Sequence, residues 1–452
     1  MASPLRVALV CNLKGNVRVG ADAPPDALAE YDSMETVEAL QAALLACGHE
    51  VVLLEADQRL VDTVRLAAPD ICFNIAEGLT GDARESHVPA LLEMLGIPYT
   101  GSKVLAHAIS LDKAVTKRLW RDAGLPTAPF QVFHRHDEDL DPLLAFPLFV
   151  KPLHEGTGMG INSQSVVFDH STLRHQVRWV TQTYRQPALV EGYLPGREFT
   201  VGLIGNRRRP GHPCRSELYD ERGFHTFPVL EIDANVGVGH GLYNAASKSY
   251  TPGDDGAPLY LCPADIAGAL EAELKGLTVE AFEAVGALDI GRVDFRLGPE
   301  GRPCLLEINT LPGVNPRVSD LCIMAQAEGF AYRDLINEVL NLALARYAQV
   351  SEAQPLPASV SSSQRRSGQK SRRGKGCDGP AAQAVLATLL SRGRRRVLDI
   401  GDRRERLQAQ RTRRGSQRCL ASTPVWVPPA SSFCLSSSPS SDRCAVRTWV
   451  IS

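Results

Sequence analysis

The run Leu305-Leu306-Glu307-Ile308-Asn309-Thr310-Leu311-Pro312-Gly313, taken with Gly291-Arg292-Val293-Asp294-Phe295 upstream, decides how this chain is read. Glu307 and Asn309 lie two apart in an apolar, extended-looking run. A strand repeats its side chains every two residues, so both oxygen donors face one side. Asp294 lies in a second such run, with Arg292 two residues before it on the same side. Gly298-Pro299-Glu300-Gly301 between the runs is a turn signal. The resulting hairpin sets Asp294, Glu307 and Asn309 side by side. Three hard oxygen donors without His or Cys suit Mg²⁺, which is usually held by one or two carboxylates plus substrate phosphates. Arg292 beside them can stabilise charge on a transferring group.

The 452 residues have room for two to four domains. With 44% hydrophobic and 22% charged residues, the composition is that of an ordinary soluble protein. No apolar run is long enough for a transmembrane helix. Val7–Val10 is too short for a signal-peptide core and reads as a buried first strand, so a cytoplasmic protein is expected. The 11 Cys include no Cys-x-x-Cys pair, which favours reduced thiols over disulfides or zinc. The net charge of −2 conceals an asymmetry: residues 351–452 hold 19 Lys and Arg against 6 Asp and Glu, leaving 30 against 45 elsewhere.

Strands at Val7–Val10, Glu50–Leu54 and Pro69–Asn74 alternate with helices at Ser33–Ala46 and Arg84–Leu95. This pattern predicts a small parallel α/β domain over residues 1–100. Residues 101–200 read as a helix through Asp112-Lys113, a second helix stopped at Gly124, strands at Phe130–Phe133 and Pro147–Lys151, a helix near 171–184 and a strand at Ala188–Glu191. Residues 201–350 follow with strands near Phe199–Ile204 and Val229–Ile232, a polar Gly-rich stretch at 234–258, a helix at 263–286, the hairpin, and an amphipathic helix from Tyr332 to Tyr347. Residues 351–452 read as a disordered Arg/Ser-rich tail, with a short helix at Val385–Leu390. A nucleic-acid arm is a weaker reading of its arginines, because no aromatic interleaving accompanies them. An out-of-frame product of a GC-rich gene is the other reading.

Lys151 ends an apolar strand and is followed by a loop holding Gly156, Gly158 and Gly160. Such a loop lets backbone N–H groups close on phosphate oxygens, although it is not a P-loop. Together with the hairpin, Lys113 in Leu111-Asp112-Lys113, the segment Leu189–Phe199 and the run Leu92–Ser102, it resembles the D-alanine–D-alanine ligase family of ATP-grasp enzymes. The resemblance covers residues 1–350. It implies an ATP-grasp fold behind a Rossmann-like N-terminal domain, with α/β and α+β parts.

It further implies ATP as substrate and Mg²⁺ or Mn²⁺, as two ions, on Asp294, Glu307 and Asn309. Lys113 and Lys151 are implied on the phosphates, Glu191 and Leu194 at the adenine, and Glu198 on the ribose. Arg292 and the Gly313 N–H are implied at the oxyanion, and Lys248 at the γ-phosphate. The product would be D-alanyl-D-alanine, made through an acyl phosphate for peptidoglycan, by an enzyme that is often a homodimer. Small amino acids are the implied partners; a membrane and nucleic acid are not.

The sequence departs from the family in three places. Glu77-Gly78 stands where the family has His-Gly. The usual N-terminal wording is missing, so Glu30 and Glu35 both remain candidates for holding the substrate ammonium. Lys248 is followed by Ser249 and then Tyr250, and Thr157 replaces a Ser of the family's closing triad. Arg317 and Ser319 are candidates for the second substrate's carboxylate, with a helix N-cap the other reading of Ser319. These changes leave open a related ligase joining a different pair. A non-catalytic nucleotide-binding protein is disfavoured by the intact metal set.

Overall fold

The computed structural model describes residues 4–208 and 216–353. The expected disordered tail, its short helix, the nucleic-acid arm and the out-of-frame reading lie outside the described residues beyond Ala353.

The chain begins with β1 (Arg6–Cys11), α1 (Met34–Leu45), β2 (Glu50–Glu55), α2 (Leu60–Ala67), β3 (Ile71–Asn74) and α3 (His87–Leu95), the last entered through a 3-10 turn at Arg84–Ser86. The strands pair in parallel in the order β2-β1-β3. Central β1 is a continuous apolar run because it is covered on both faces, and Val7 to Cys11 are wholly buried. The helix α2 was not anticipated, since only Leu60, Val64 and Ala67 mark its buried stripe.

Next come α4 (Val104–Leu111), α5 (Lys113–Asp122), β4 (Phe130–Phe133), β5 (Leu148–Pro152), β6 (Val166–Val167), α6 (His170–Thr183) and β7 (Ala188–Gly192). The helix expected to run through Asp112-Lys113 is broken there. The Asp112 carboxylate accepts the N–H groups of Ala114 and Val115, both at 2.9 Å, and so caps a new helix. The break places Lys113 on the first turn of α5. The strands form an antiparallel sheet, β4-β7-β5-β6.

The remainder is β8 (Glu198–Gly205), β9 (Phe224–Thr226), β10 (Leu230–Asp233), β11 (Leu259–Leu261), α7 (Gly268–Ala284), β12 (Asp289–Leu297), β13 (Pro303–Asn309), α8 (Asp320–Ala327) and α9 (Tyr332–Ala353). Its antiparallel sheet runs β11-β10-β8-β12-β13, with β9 beside β8. Helix α7 starts later than the expected residue 263 because Ala264 instead donates its N–H to the Val229 carbonyl (2.8 Å), extending the sheet edge. Leu335, Ile336, Val339 and Leu340 of α9 pack with Val37, Leu40 and Leu44 of α1. Each such burial contributes about 1.5–3 kcal/mol. Among the described residues no helix is long and apolar enough to cross a membrane.

Candidate active site

The β12–β13 hairpin forms as expected. Arg292 stands opposite Asn309 and Asp294 opposite Glu307. Period-two alternation gives β12 two characters. Val293 and Phe295 are wholly buried against Phe282 and Trp120, while Arg292, Asp294 and Arg296 take the other face. The register slips after Asp294, leaving Leu306 as an extra residue on β13. This bulge turns both Leu306 and Glu307 toward the cleft.

Asp294 is held from three sides. Arg292 donates to both carboxylate oxygens at 2.9 Å, Thr200 donates to Oδ1 at 2.6 Å, and the Asn309 amide to Oδ2 at 3.1 Å. Burial pushes its carboxyl upward, but the Arg292 guanidinium more than offsets this and holds it well below the usual carboxylate range. Burial likewise opposes ionisation of Glu307, and Lys113 and Lys151 override it, Lys113 at 3.3 Å. Two ionised carboxylates and an amide on one face fit a hard divalent cation. No group of three or more His, Cys, Asp or Glu gathers among the described residues, so a cation here depends on oxygens from a substrate. The Asp294 lone pairs are all in use, so a cation takes the place of one of these donors.

A cleft with apolar and charged walls adjoins this hairpin. Phe149, Met159, Leu194 and Leu306 make its apolar lining, and Lys113, Lys151, Glu191, Glu198 and Lys248 its charged one. The Glu191 carboxylate is clasped between Lys151 (2.8 Å) and Lys117 (2.9 Å). Burial would raise its carboxyl, but the two ammoniums hold it to about 2. Lys117 also donates to the Leu305 carbonyl at 3.1 Å, tying α5 to β13. Burial lifts Glu198 to about 7, with Asp294 adding to the rise and Arg296 and Lys248 opposing it.

A second, polar cavity shares Lys113, Glu155, Lys248 and Glu307 with the cleft. Its roof is two loops in contact. Gly158 has φ +68°, and a Cβ there would come within 2.8 Å of the Asn244 Cα. Its carbonyl accepts the Ala245 N–H at 3.3 Å. Thr157, at φ +50°, lines the cavity, and Lys248 sits 4.5 Å from the centre of the Tyr243 ring.

Glu30 and Glu35 both reach the cavity but differ in state. Glu30 is buried, paired with Arg84 at 2.5 Å and accepting the Gly156 N–H at 2.6 Å. Glu35 is exposed and pairs with exposed Arg317 at 3.4 Å. Ser319 occupies the N-cap position of α8 without a side-chain cap bond. Its hydroxyl instead accepts the Asn315 N–H at 2.9 Å, closing the turn after Gly313. Ser319 is thus the N-cap residue that the sequence offered as the other reading, with its hydroxyl spent on the preceding turn rather than on the helix.

Sequence reasoning missed Lys117, Arg84, Glu155 and Asp320. Lys117 lies four residues after Lys113 on one helix face, a signal that was available. Arg84 had none: it reaches Glu30 and Glu155 only because the chain folds back.

Residues 119–341 match the family described as D-ala D-ala ligase C-terminus. The chain is 36% identical to the uncharacterized protein y4sG of Sinorhizobium fredii, over 76% of this chain and 98% of that one. It is 32% identical to the D-alanine–D-alanine ligase of Bordetella petrii, over 69% and 88% of the two chains. Its fold is similar to that of the Bacillus anthracis D-alanine–D-alanine ligase solved in complex with ATP, with a TM-score of 0.56, 20% identity, and coverage of 76% and 99%. Fold, site and relatives together define an ATP-dependent carboxylate–amine ligase. Within that class, the chain belongs to the D-alanine–D-alanine ligase family.

Proposed function

We propose that this chain joins two amino acids through an acyl phosphate, with D-alanyl-D-alanine for peptidoglycan as the product its family supports. The observation that carries this is the shared wall: Lys113, Lys248, Glu155 and Glu307 border both the nucleotide cleft and the polar cavity. A γ-phosphate between Lys113 and Lys248 faces a carboxylate lying in the cavity. A carboxylate oxygen of the first substrate attacks the γ-phosphorus, and ADP leaves. The amine of the second attacks the acyl carbon, and phosphate departs with that oxygen.

Lys151 and Lys113 neutralise phosphate charge, Glu198 accepts the ribose hydroxyls, and Leu194 packs on the adenine. With Lys117 and Lys151 on its carboxylate, Glu191 sets their positions as well as bordering the adenine end. Arg292 and the Gly313 N–H face the oxyanion. Mg²⁺ bound by Asp294, Glu307 and Asn309 would neutralise charge on the phosphates. The loops at 156–160 and 234–258 exclude water, which would hydrolyse the acyl phosphate. The three sheets support a division at residues 1–100, 101–200 and 201–350, the first Rossmann-like. A homodimer and a cytoplasmic place of action are the family's implications.

A different substrate pair is the second reading, favoured by the acidic cavity wall around Glu77. The test is ADP release with Mg²⁺-ATP against a panel of D- and L-amino acids and D-lactate, with mass spectrometry of the product. D-alanyl-D-alanine supports the cell-wall reading, and another dipeptide the second. Absence of substrate-dependent ADP release refutes both.

A further inference from the structure

We propose that the cavity selects, as one of its substrates, a carboxylic acid bearing a second cationic group besides its α-ammonium, in the simplest case a diamino acid. The inference rests on the ligase reading above, in its second form with a different substrate pair, and names the class of one member of that pair.

Besides Lys113, Lys248 and Glu307, the polar cavity is lined by a wall of acids, Asp32, Glu77 and Glu85, near enough for Glu77 to feel the charges of the other two. Elsewhere in the cavity every acid has a cationic partner. Glu30 and Glu155 share Arg84 at 2.5 and 3.0 Å, Glu35 has Arg317 at 3.4 Å, Glu307 has Lys113 at 3.3 Å, and Asp320 has Arg292 at 3.5 Å. On the acid wall the pattern stops. Among the described residues neither Asp32 nor Glu77 pairs with Lys or Arg, and Glu85 has only buried His107, at 3.7 Å. Lys14, the other cation at this end, lies exposed on the rim.

Glu77 is also fixed in place. Gly78 donates its N–H to Asn12 Oδ1 at 2.9 Å, and at φ +80° a Cβ there would meet the Arg84 carbonyl at 2.4 Å. The loop therefore cannot carry the carboxylate out to solvent without breaking a buried contact. Burial, with Glu85, Glu30 and Asp32 nearby, pushes Glu77 well above the ordinary carboxylate range despite Arg84, and burial lifts Asp32 to about 7. Partly enclosed acids without counter-charge are costly, and a ligand cation removes that cost. An α-ammonium stays beside its own carboxylate, so a second amine on the side chain is the group that reaches these acids while the carboxylate stays at the phosphate end.

The experiment uses the full chain with Mg²⁺-ATP. ADP release and product mass are followed with D-alanine, diaminopropionate, diaminobutyrate, ornithine and lysine in both configurations, singly and in pairs with D- or L-alanine. The expected result is at least one diamino acid whose kcat/KM exceeds that of D-alanine by about tenfold or more, a preference of about 1.4 kcal/mol. Glu77→Gln and Asp32→Asn should each lower the diamino-to-alanine ratio severalfold, chiefly through KM. Turnover of alanine without preference for any diamino acid overturns this inference and leaves the ligase reading standing. No ADP release with any amino acid overturns both. The wild-type preference is decisive even where a variant fails to fold.

Discussion

In the nucleotide cleft most acids meet a cation: Glu191 lies between Lys151 and Lys117, Asp294 on Arg292 and Glu307 on Lys113, while Lys248 rests on the Tyr243 ring. Across the shared wall, Asp32 and Glu77 face the cavity without such partners. The cleft's charged groups come mainly from strands and from Lys113 on the first turn of α5, and its acids are paired within the protein itself. The acid wall of the cavity is built from loop residues, and its balance awaits a substrate. On the proposed reading the first arrangement holds a nucleotide whose charge is neutralised in place, and the second is where substrate identity is decided.

The sharpest way to break this contrast is at Asp294. Asp294→Asn should lower ADP release at least about a hundredfold in protein that thermal unfolding, measured side by side, shows to be folded at the assay temperature, although less stable because Arg292 loses a carboxylate partner. Asp294→Ala is the poorer probe, because besides taking a carboxylate from Arg292 it leaves the Thr200 and Asn309 donors with no acceptor at this position. Losing a buried partner costs about 3–5 kcal/mol of folding stability.

Glu191→Gln tests whether the cleft's balance is structural. It leaves Lys117 and Lys151 buried with no carboxylate between them and should cost about 3–5 kcal/mol in denaturant unfolding, partly recovered by adding Lys117→Met. The pH dependence has a definite sign. The Glu191 carboxyl sits at about 2 when folded against an ordinary value of 4.5, so its contribution is present above 4.5 and lost as pH falls toward 2.

A smaller effect separates binding from balance. Glu198 sits at about 7, and in its proposed role must be ionised to accept two ribose hydroxyls. KM for ATP should therefore fall as pH rises through neutrality. In Glu198→Gln that trend should vanish and KM should rise by about tenfold, the worth of one or two hydrogen bonds. Asp112→Ala should cost about 1 kcal/mol by uncapping α5, with a modest loss of activity as Lys113 loosens. A chain ending at Ala353 should keep the full turnover; a loss would assign a role to the basic segment beyond it.

The contrast also explains what could be read from the amino-acid sequence. The hairpin was legible because β12 alternates Arg292, Asp294 and Arg296 with Val293, Phe295 and Leu297, and only a strand sorts these onto two faces. The bulge at Leu306 was not, because an extra residue leaves no mark on an already apolar run. Asp112 was read as helix interior; an Asp that caps and an Asp that faces solvent look alike until the following N–H groups are placed. Short β9 and β11 carry too few residues for a period. Glu77 was visible as a departure, but the surroundings of its carboxylate come from loops distant in the chain. Arg84 likewise acquires meaning only from the partners that folding brings to it.

On the proposed mechanism the shared wall passes a phosphoryl group from nucleotide to carboxylate. The direct measurement supplies an amino acid turned over in the substrate panel, with both carboxylate oxygens replaced by a heavy isotope, together with Mg²⁺-ATP, and follows the label in inorganic phosphate by mass spectrometry. The account predicts one labelled oxygen in each phosphate released with amide product. Product formation with unlabelled phosphate would contradict it.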